Sequence, residues 1–430
     1  MGVQQDVVSL EPWEQQSDPW LIGIQRWSLA EKACEGIISK FQPTMFAERK
    51  RDSVISYLQR LLKDNLDCFC LWISSIENLS PRWRYDLSAI GATTDELVKE
   101  IASLLESEGK NSSAEFVVKD VQLIGAEVKL VKCMVQNLVV DISVNQIGGL
   151  CTLCFLEQVD RVIKKDHLFK RSIILIKAWC YYESRTLGAH VGLISTYGLE
   201  TLVLYIFHVF HMAIDGPLSV LYKFLEYFSA FDWDNYGISL MGPIRLSELP
   251  RVIVERPPNS NNLLLKVGFL RHCSKTLAVP MRIGDVFSKK YLNIVDPLND
   301  YNNLGRSVSQ GNFFRIRSAF GYGARKLGQI LMTPEDDLAE ELLSFFSNTL
   351  NMHGSGQRPD LPEDCQCGGF PGNRFSSEGK DASSSCQGEV ANPVSIPFYA
   401  PHLLFDHSKL VNTEENGDVN DEKRSECMKT

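Results

Sequence analysis

The chain has 430 residues, net charge −9, 44% hydrophobic and 10% aromatic residues, enough for one large core or two moderate ones. No run approaches the roughly 18 uninterrupted apolar residues of a membrane span, and the acidic, Gln-rich amino terminus lacks a secretory signal's basic and apolar regions. The expectation is therefore no membrane partner and a nuclear or cytoplasmic location. Residues 351–430 hold 7 Lys+Arg against 13 Asp+Glu, leaving a nearly balanced 37 against 40 elsewhere, which excludes a global basic field for nucleic acid.

Residues 44–66 place Val54, Tyr57, Leu58, Leu61 and Leu62 at helical spacing and predict a helix. Thr93-x-x-Glu96 offers a capping box for a second helix through about Leu105, with a strand or two expected between the helices. Three runs rich in Val and Ile, Glu115–Leu123, Ala126–Met134 and Asn137–Val144, read as adjacent strands of one sheet. The period then becomes helical over Leu150–Lys164, Lys170–Leu187, Ser195–Ala213 and Pro217–Phe231. Further helices are expected at about Asn261–Cys273, Phe314–Leu331 and Glu335–Leu350, with a loop rich in Pro, Asp, Asn and Gly at 293–312. Residues 353–430 are dominated by Gly, Pro, Ser and acids and predict a disordered acidic tail, within which Pro397–Phe405 could dock a protein partner or be an incidental apolar patch.

The twelve cysteines scatter through apolar segments and read as reduced thiols. Cys151 and Cys154 have the spacing of a redox or zinc half-site but lie in a helical run without a second pair, which favours buried helix cysteines. Two clusters could form local basic patches for RNA: Arg161, Lys164, Lys165, Lys170 and Arg171, and Arg315, Arg317, Arg325 and Lys326.

Asp141 interrupts the apolar run Leu138–Val139–Val140–Asp141–Ile142, either as a functional carboxylate or as a strand residue facing solvent. Asp86 precedes the Thr93 box and is expected to end a neighbouring strand. Two such carboxylates can share a divalent cation, and two-metal phosphoryl transfer calls for a third, most naturally two residues before Asp86 on the same strand face. That position is Arg84. A guanidinium about 4 Å from a cation is repelled by about 4 kcal/mol per unit charge product at an effective dielectric of about 20, so Arg84 opposes metal binding as well as removing a ligand.

These residues, with Ile176–Lys177–Ala178–Trp179, Leu193–Ile194–Ser195–Thr196–Tyr197–Gly198, Val295–Asp296–Pro297–Leu298 and Asn302–Asn303–Leu304–Gly305–Arg306–Ser307, carry a resemblance over about residues 27–350. The chain resembles the poly(A)/poly(U) polymerase-like branch of the DNA polymerase beta-type nucleotidyltransferases, which have a poly(A) polymerase/oligoadenylate synthetase substrate-binding domain. The resemblance implies an α+β fold with a nucleotidyltransferase palm at 27–170, a small mixed sheet with helices. An N-terminal extension (1–26) precedes it, a helical substrate-binding domain with the nucleotide-recognition loop follows at 171–352, and the disordered tail at 353–430 ends the chain.

It further implies Mg²⁺- or Mn²⁺-dependent addition of nucleotides, ATP foremost, to an RNA 3′ end. Asp86 and Asp141 would be the catalytic and metal-binding carboxylates. Lys177 and Ser195 would hold the triphosphate, Tyr197 would stack on the base beside Thr196, and Asp296, Asn302 and Asn303 would meet the base edge. Asn302 stands where some uridylyl-transferring members have His, and Tyr181 stands where a second phosphate-binding lysine is often found. The family's Gly-Ser pair and Asp-x-Asp are missing from about residues 68–85. A local replacement, for instance at a splice junction, and gradual decay after loss of activity are the two open explanations. The expected function is an RNA 3′-terminal nucleotidyltransferase with weak or lost catalysis; the alternative is a non-catalytic nucleotide- or RNA-binding scaffold.

Overall fold

The computed structural model describes residues 23–41, 45–66, 94–125, 129–144, 147–277 and 286–353. The expected disordered tail, the Pro397–Phe405 motif, Thr93 of the capping box, Arg84 and Asp86 lie outside the described residues.

Two main cores organise what is described, with a third small cluster at Ile244, Phe287 and Val295. The smaller of the two main cores is a three-stranded antiparallel sheet covered on one face by two helices. Strands β1 (Val118–Gly125), β2 (Lys129–Val135) and β3 (Leu138–Ser143) follow each other in space as in sequence. The Val-rich alternation decides which face is dry: Val131, Cys133 and Val135 of β2 and Val140 and Ile142 of β3 are buried. They pack against Val54, Tyr57, Leu58 and Leu62 of α2 (Met45–Asn65) and Val98, Ile101 and Leu105 of α3 (Thr94–Glu108). The Tyr57 hydroxyl donates to Glu108 and ties the two helices together.

The larger core is helical. It gathers α4 (Ile147–Ile163), α5 (Leu168–Ala178), α6 (Thr196–Phe210), α7 (Pro217–Ala230), α8 (Val267–Thr276), α9 (Gln310–Met332) and α10 (Glu335–Phe345). The wide π turn Trp179–Glu183 ends α5, and α11 (Ser347–His353) closes the described chain. At Gly323 α9 passes close to the π turn: a Cβ there would stand 2.6 Å from Cζ2 of Trp179, whose ring also stacks on Phe345.

An unexpected helix, α1 (Ile24–Phe41), belongs to this helical core. Its buried face is Ala30, Cys34, Ile37, Ile38 and Phe41. The Glu31 carboxylate accepts bonds from the free backbone N–H groups of Leu218 (3.0 Å) and Ser219 (2.8 Å) at the start of α7, where the helix dipole favours an anion. Packing therefore divides the chain elsewhere than at residues 27 and 171, because α1 and α4 bury their apolar faces among the later helices.

The 293–312 segment, expected as a loop, contains two short strands, β6 (Val295–Asp296) and β7 (Asn299–Asn303). A second hairpin, β4 (Tyr236–Ser239) and β5 (Gly242–Arg245), lies beside it through the Ile238–Ile294 bridge.

Candidate nucleotide-recognition site

The start of α6 and the β6–β7 hairpin are stapled together by side-chain-to-backbone bonds. Ser195 caps α6: its Oγ accepts from the Gly198 N–H at 3.1 Å and donates to the Leu304 carbonyl at 3.0 Å. A Cβ on Gly198 would lie 2.9 Å from that Oγ, so glycine here is a condition of the staple. Ser307 Oγ donates to the Leu193 carbonyl at 2.7 Å, and Asn312 Nδ2 donates to the carbonyls of Val191 and Gly192.

This juncture positions a polar network around Asp296, whose carboxylate is buried. Its Oδ1 accepts from the Tyr197 hydroxyl and the Leu298 N–H, both at 2.9 Å, and its Oδ2 accepts from Asn302 Nδ2 at 2.8 Å. Arg306 Nη1 then donates to Asn302 Oδ1 at 2.7 Å, fixing both ends of that amide. Burial pushes the Asp296 carboxyl up, against the lowering effect of these donors. Burial, reinforced by the Asp296 charge, pushes the Tyr197 phenol well up, so the hydroxyl keeps its proton and remains a donor.

Lys177 sits on the last turn of α5 and faces α6. Its Nζ lies 3.4 Å from Glu200 Oε1, with side-chain exposures of only 9% and 15%. Burial raises the Glu200 carboxyl and the Lys177 charge lowers it. Glu200 is one helical turn from Tyr197, near enough for its charge to raise the phenol. Thr152 of α4 reaches the same phenol with its hydroxyl.

The structure thus brings together Tyr197, Asp296 and Asn302, with Ser195 and Thr196 at the adjoining helix start and Lys177 close by. Asn303 is placed differently from a base-contacting residue. It is buried, its Oδ1 accepts from the N–H groups of Ile294 and Gly305, and its Nδ2 donates to the Ser288 carbonyl and Asn293 Oδ1. No edge is left for a ligand, and its work is to hold the hairpin. Glu200, Thr152 and Arg306 were missed. The ion pair had one readable signal, since a lone Glu inside the apolar run of α6 calls for a buried cation.

Asp141 lies on the sheet face away from α2 and α3, opposite Lys132 on β2. Burial raises its carboxyl, with Lys132 lowering it, and its Oδ1 is buried without a hydrogen-bond partner. No hydrogen bond or ion pair joins it to the Tyr197 network among the described residues. An orphaned oxygen of this kind suits a cation, but no group of three potential ligands forms among the described residues. Asp86 and Arg84, the other sequence candidates at this site, lie outside the described residues.

The two candidate basic patches are largely neutralised. Lys170 is buried between Glu157 (2.9 Å) and Asp160 (3.3 Å); Arg161 pairs with Glu157, Lys165 with Asp215, and Arg171 with Glu35. On α9, Arg317 pairs with Asp234 and Lys326 with Glu341, while Arg315 donates to the carbonyls of Ser184 and Arg185. Cys151 and Cys154 sit on α4 as free thiols. A cavity of about 440 Å³ lies at the other end of α6, lined by Val209, Phe210, Met212 and Asn259–Asn262, and shares no residue with the network. No described helix is long and apolar enough to cross a membrane.

Residues 163–350 match the PAP/OAS1 substrate-binding domain family. Comparison with curated proteins gives no match. Among solved structures, a cytoplasmic RNA terminal U-transferase is similar at TM-score 0.46 and 16% identity, over 73% of this chain and 98% of its own. The Cid1 poly(U) polymerase is similar at TM-score 0.48 and 16% identity, over 74% and 99%.

Proposed function

We propose that this chain, whose residues 163–350 match the PAP/OAS1 substrate-binding domain family, is a poly(A) polymerase-like nucleotidyltransferase-family protein that recognises a nucleotide or the 3′-terminal nucleotide of an RNA through its helical unit while adding nucleotides weakly or not at all. The observation that carries this reading is the Tyr197–Asp296–Asn302–Arg306 network. It presents a phenol ring and a fixed amide at the mouth of a helix start, groups suited to stack on a base and to meet its polar edge. The order of its bonds matters. Asp296 orients both Tyr197 and Asn302, so one carboxylate sets the geometry of the stacking group and the reading group together.

The chemistry side argues the other way. Mg²⁺ or Mn²⁺ would supply Lewis-acid stabilisation of a transferring phosphoryl group, with Asp86 and Asp141 as the available carboxylates. Asp141 stands alone among the described residues and Arg84 replaces the remaining ligand in sequence, so no step is routed through the metal. One observation favours an active enzyme instead: the unpartnered Asp141 Oδ1, which a cation would satisfy.

The test is titration of nucleotides and a short oligo(A) onto the native chain and its Tyr197→Ala variant, beside extension of a labelled oligo(A) primer with each NTP and Mg²⁺ or Mn²⁺. Expected are binding that Tyr197→Ala abolishes and little or no extension. Extension by the native chain that disappears in Asp141→Ala would overturn the catalytic half. Absence of any binding would overturn the recognition half.

A further inference from the structure

The cation best placed to hold phosphates is already engaged. Lys177 and Glu200 form a buried pair at 3.4 Å, on neighbouring helices and one turn from Tyr197. The Lys177–Glu200 pair therefore carries no net charge, and its ammonium stands within 3.4 Å of a carboxylate that repels phosphate. Attraction and repulsion of comparable size act on every added phosphate charge. Three further features point the same way. Tyr181, half-buried in the π turn after α5, offers a ring packed edge-on against Tyr182 where a second cation would reinforce Lys177. The Ser195 hydroxyl directs its proton to the Leu304 carbonyl. Arg306, the remaining cation of the network, is spent on the Asn302 amide, at the base-recognising end.

We infer that Glu200 is a specificity-determining residue that sets the site against polyphosphate: the site formed by Tyr197, Asp296 and the Lys177–Glu200 pair takes a nucleoside or a singly phosphorylated nucleotide, the chemistry of an RNA 3′ terminus, in preference to a nucleoside triphosphate. This deepens the recognition role proposed above and rests on it. Asp296 supplies the hydrogen bonds of the base-recognising groups, and burial is the main cause that keeps the Tyr197 phenol protonated, so Glu200 acts chiefly on the response to phosphate number. Loss of the Glu200 charge frees the Lys177 ammonium, and phosphate affinity should then rise with each added phosphate.

The experiment is calorimetric titration of adenosine, AMP and ATP, and of uridine, UMP and UTP, in EDTA, onto the full chain, Glu200→Gln and the double variant Lys177→Met/Glu200→Gln. Circular dichroism checks that each is folded. The native chain should bind the triphosphate no tighter than the nucleoside. Glu200→Gln should leave nucleoside affinity within about threefold and tighten triphosphate binding by about tenfold or more, a free ammonium-phosphate contact being a strong charge-assisted one. The double variant should return the native ratio, even if Glu200→Gln alone is poorly stable. A native chain that binds triphosphate tenfold tighter than nucleoside, or a Glu200→Gln variant with an unchanged ratio, overturns the inference and leaves the recognition reading standing. No binding of any ligand by any variant overturns both.

Discussion

The candidate recognition site and the sheet unit treat their buried carboxylates in opposite ways. In the helical unit each carboxylate of the candidate site has partners: Asp296 has three donors and Glu200 has Lys177. In the sheet unit Asp141 holds a buried oxygen with no partner, opposite a lysine on the next strand. A satisfied network fixes geometry and is the requirement for recognising a ligand by shape; an unsatisfied carboxylate is a cost that persists where something else must fill it. Under the proposed function, recognition and chemistry would sit on different cores of this protein.

The sharpest way to break this contrast is to unpair a carboxylate in the helical unit. Lys177→Met leaves Glu200 buried and uncompensated, and should lower stability by about 3–5 kcal/mol in urea unfolding at neutral pH. The direction with pH follows from the raised Glu200 carboxyl. A carboxyl raised in the folded state binds its proton there before it does in the unfolded chain, so stability is recovered as pH falls through that window. The deficit of Lys177→Met should shrink on acidification. A deficit constant with pH would mean that the loss is packing rather than an exposed charge imbalance.

Asp296→Ala comes next. It strips the acceptor from the Tyr197 hydroxyl, the Asn302 amide and the Leu298 N–H, and should lower stability by about 2–4 kcal/mol and abolish nucleotide binding in the same titration. Gly323→Val should have a smaller effect, about 1–3 kcal/mol, from overpacking against Trp179. Because Trp179 follows Lys177 by two residues, that variant should also weaken nucleotide binding; a purely thermal effect would separate the packing of α9 from the site.

How much of this was legible follows from what each element needs. The sheet announced itself because β1, β2 and β3 are short runs rich in Val and Ile separated by turn-like residues, and a one-residue register error would expose the buried Val131, Cys133, Val140 and Ile142. Helices α4 to α7 were visible as apolar runs. Helix α1 was not, because its buried stripe begins with Ala30 and Cys34, small side chains that fit close against α7 but contribute little to an apolar signal. The β6–β7 hairpin hid behind Asp-Pro and Asn-Asn, residues that mark turns whether or not strands flank them. Of the site, Tyr197, Asp296 and Asn302 were named from the motif and the structure joins them in one network, whereas Asn303 is a buried amide bonded to the hairpin's backbone and Arg306, given no role from sequence, holds the Asn302 amide. The basic patches misled for a physical reason. Sequence shows where cations are and not which carboxylates fold against them, and Glu157, Asp160 and Asp215 arrive from other turns.

The smallest expected effect is the one that decides the sheet unit's character. Asp141 is raised by burial, so its folded form holds a proton longer than the unfolded chain does. Ionisation at neutral pH therefore costs stability, and the cost disappears as pH falls through the window between the two states. Asp141→Asn should consequently gain about 1 kcal/mol or less at neutral pH and show no gain in acid. The same pair of proteins reports on metal. If Asp141 keeps a cation site, Mn²⁺ should raise the melting temperature of the native chain and leave Asp141→Asn unmoved; equal response of the two would mean that the orphaned carboxylate is a remnant without a ligand.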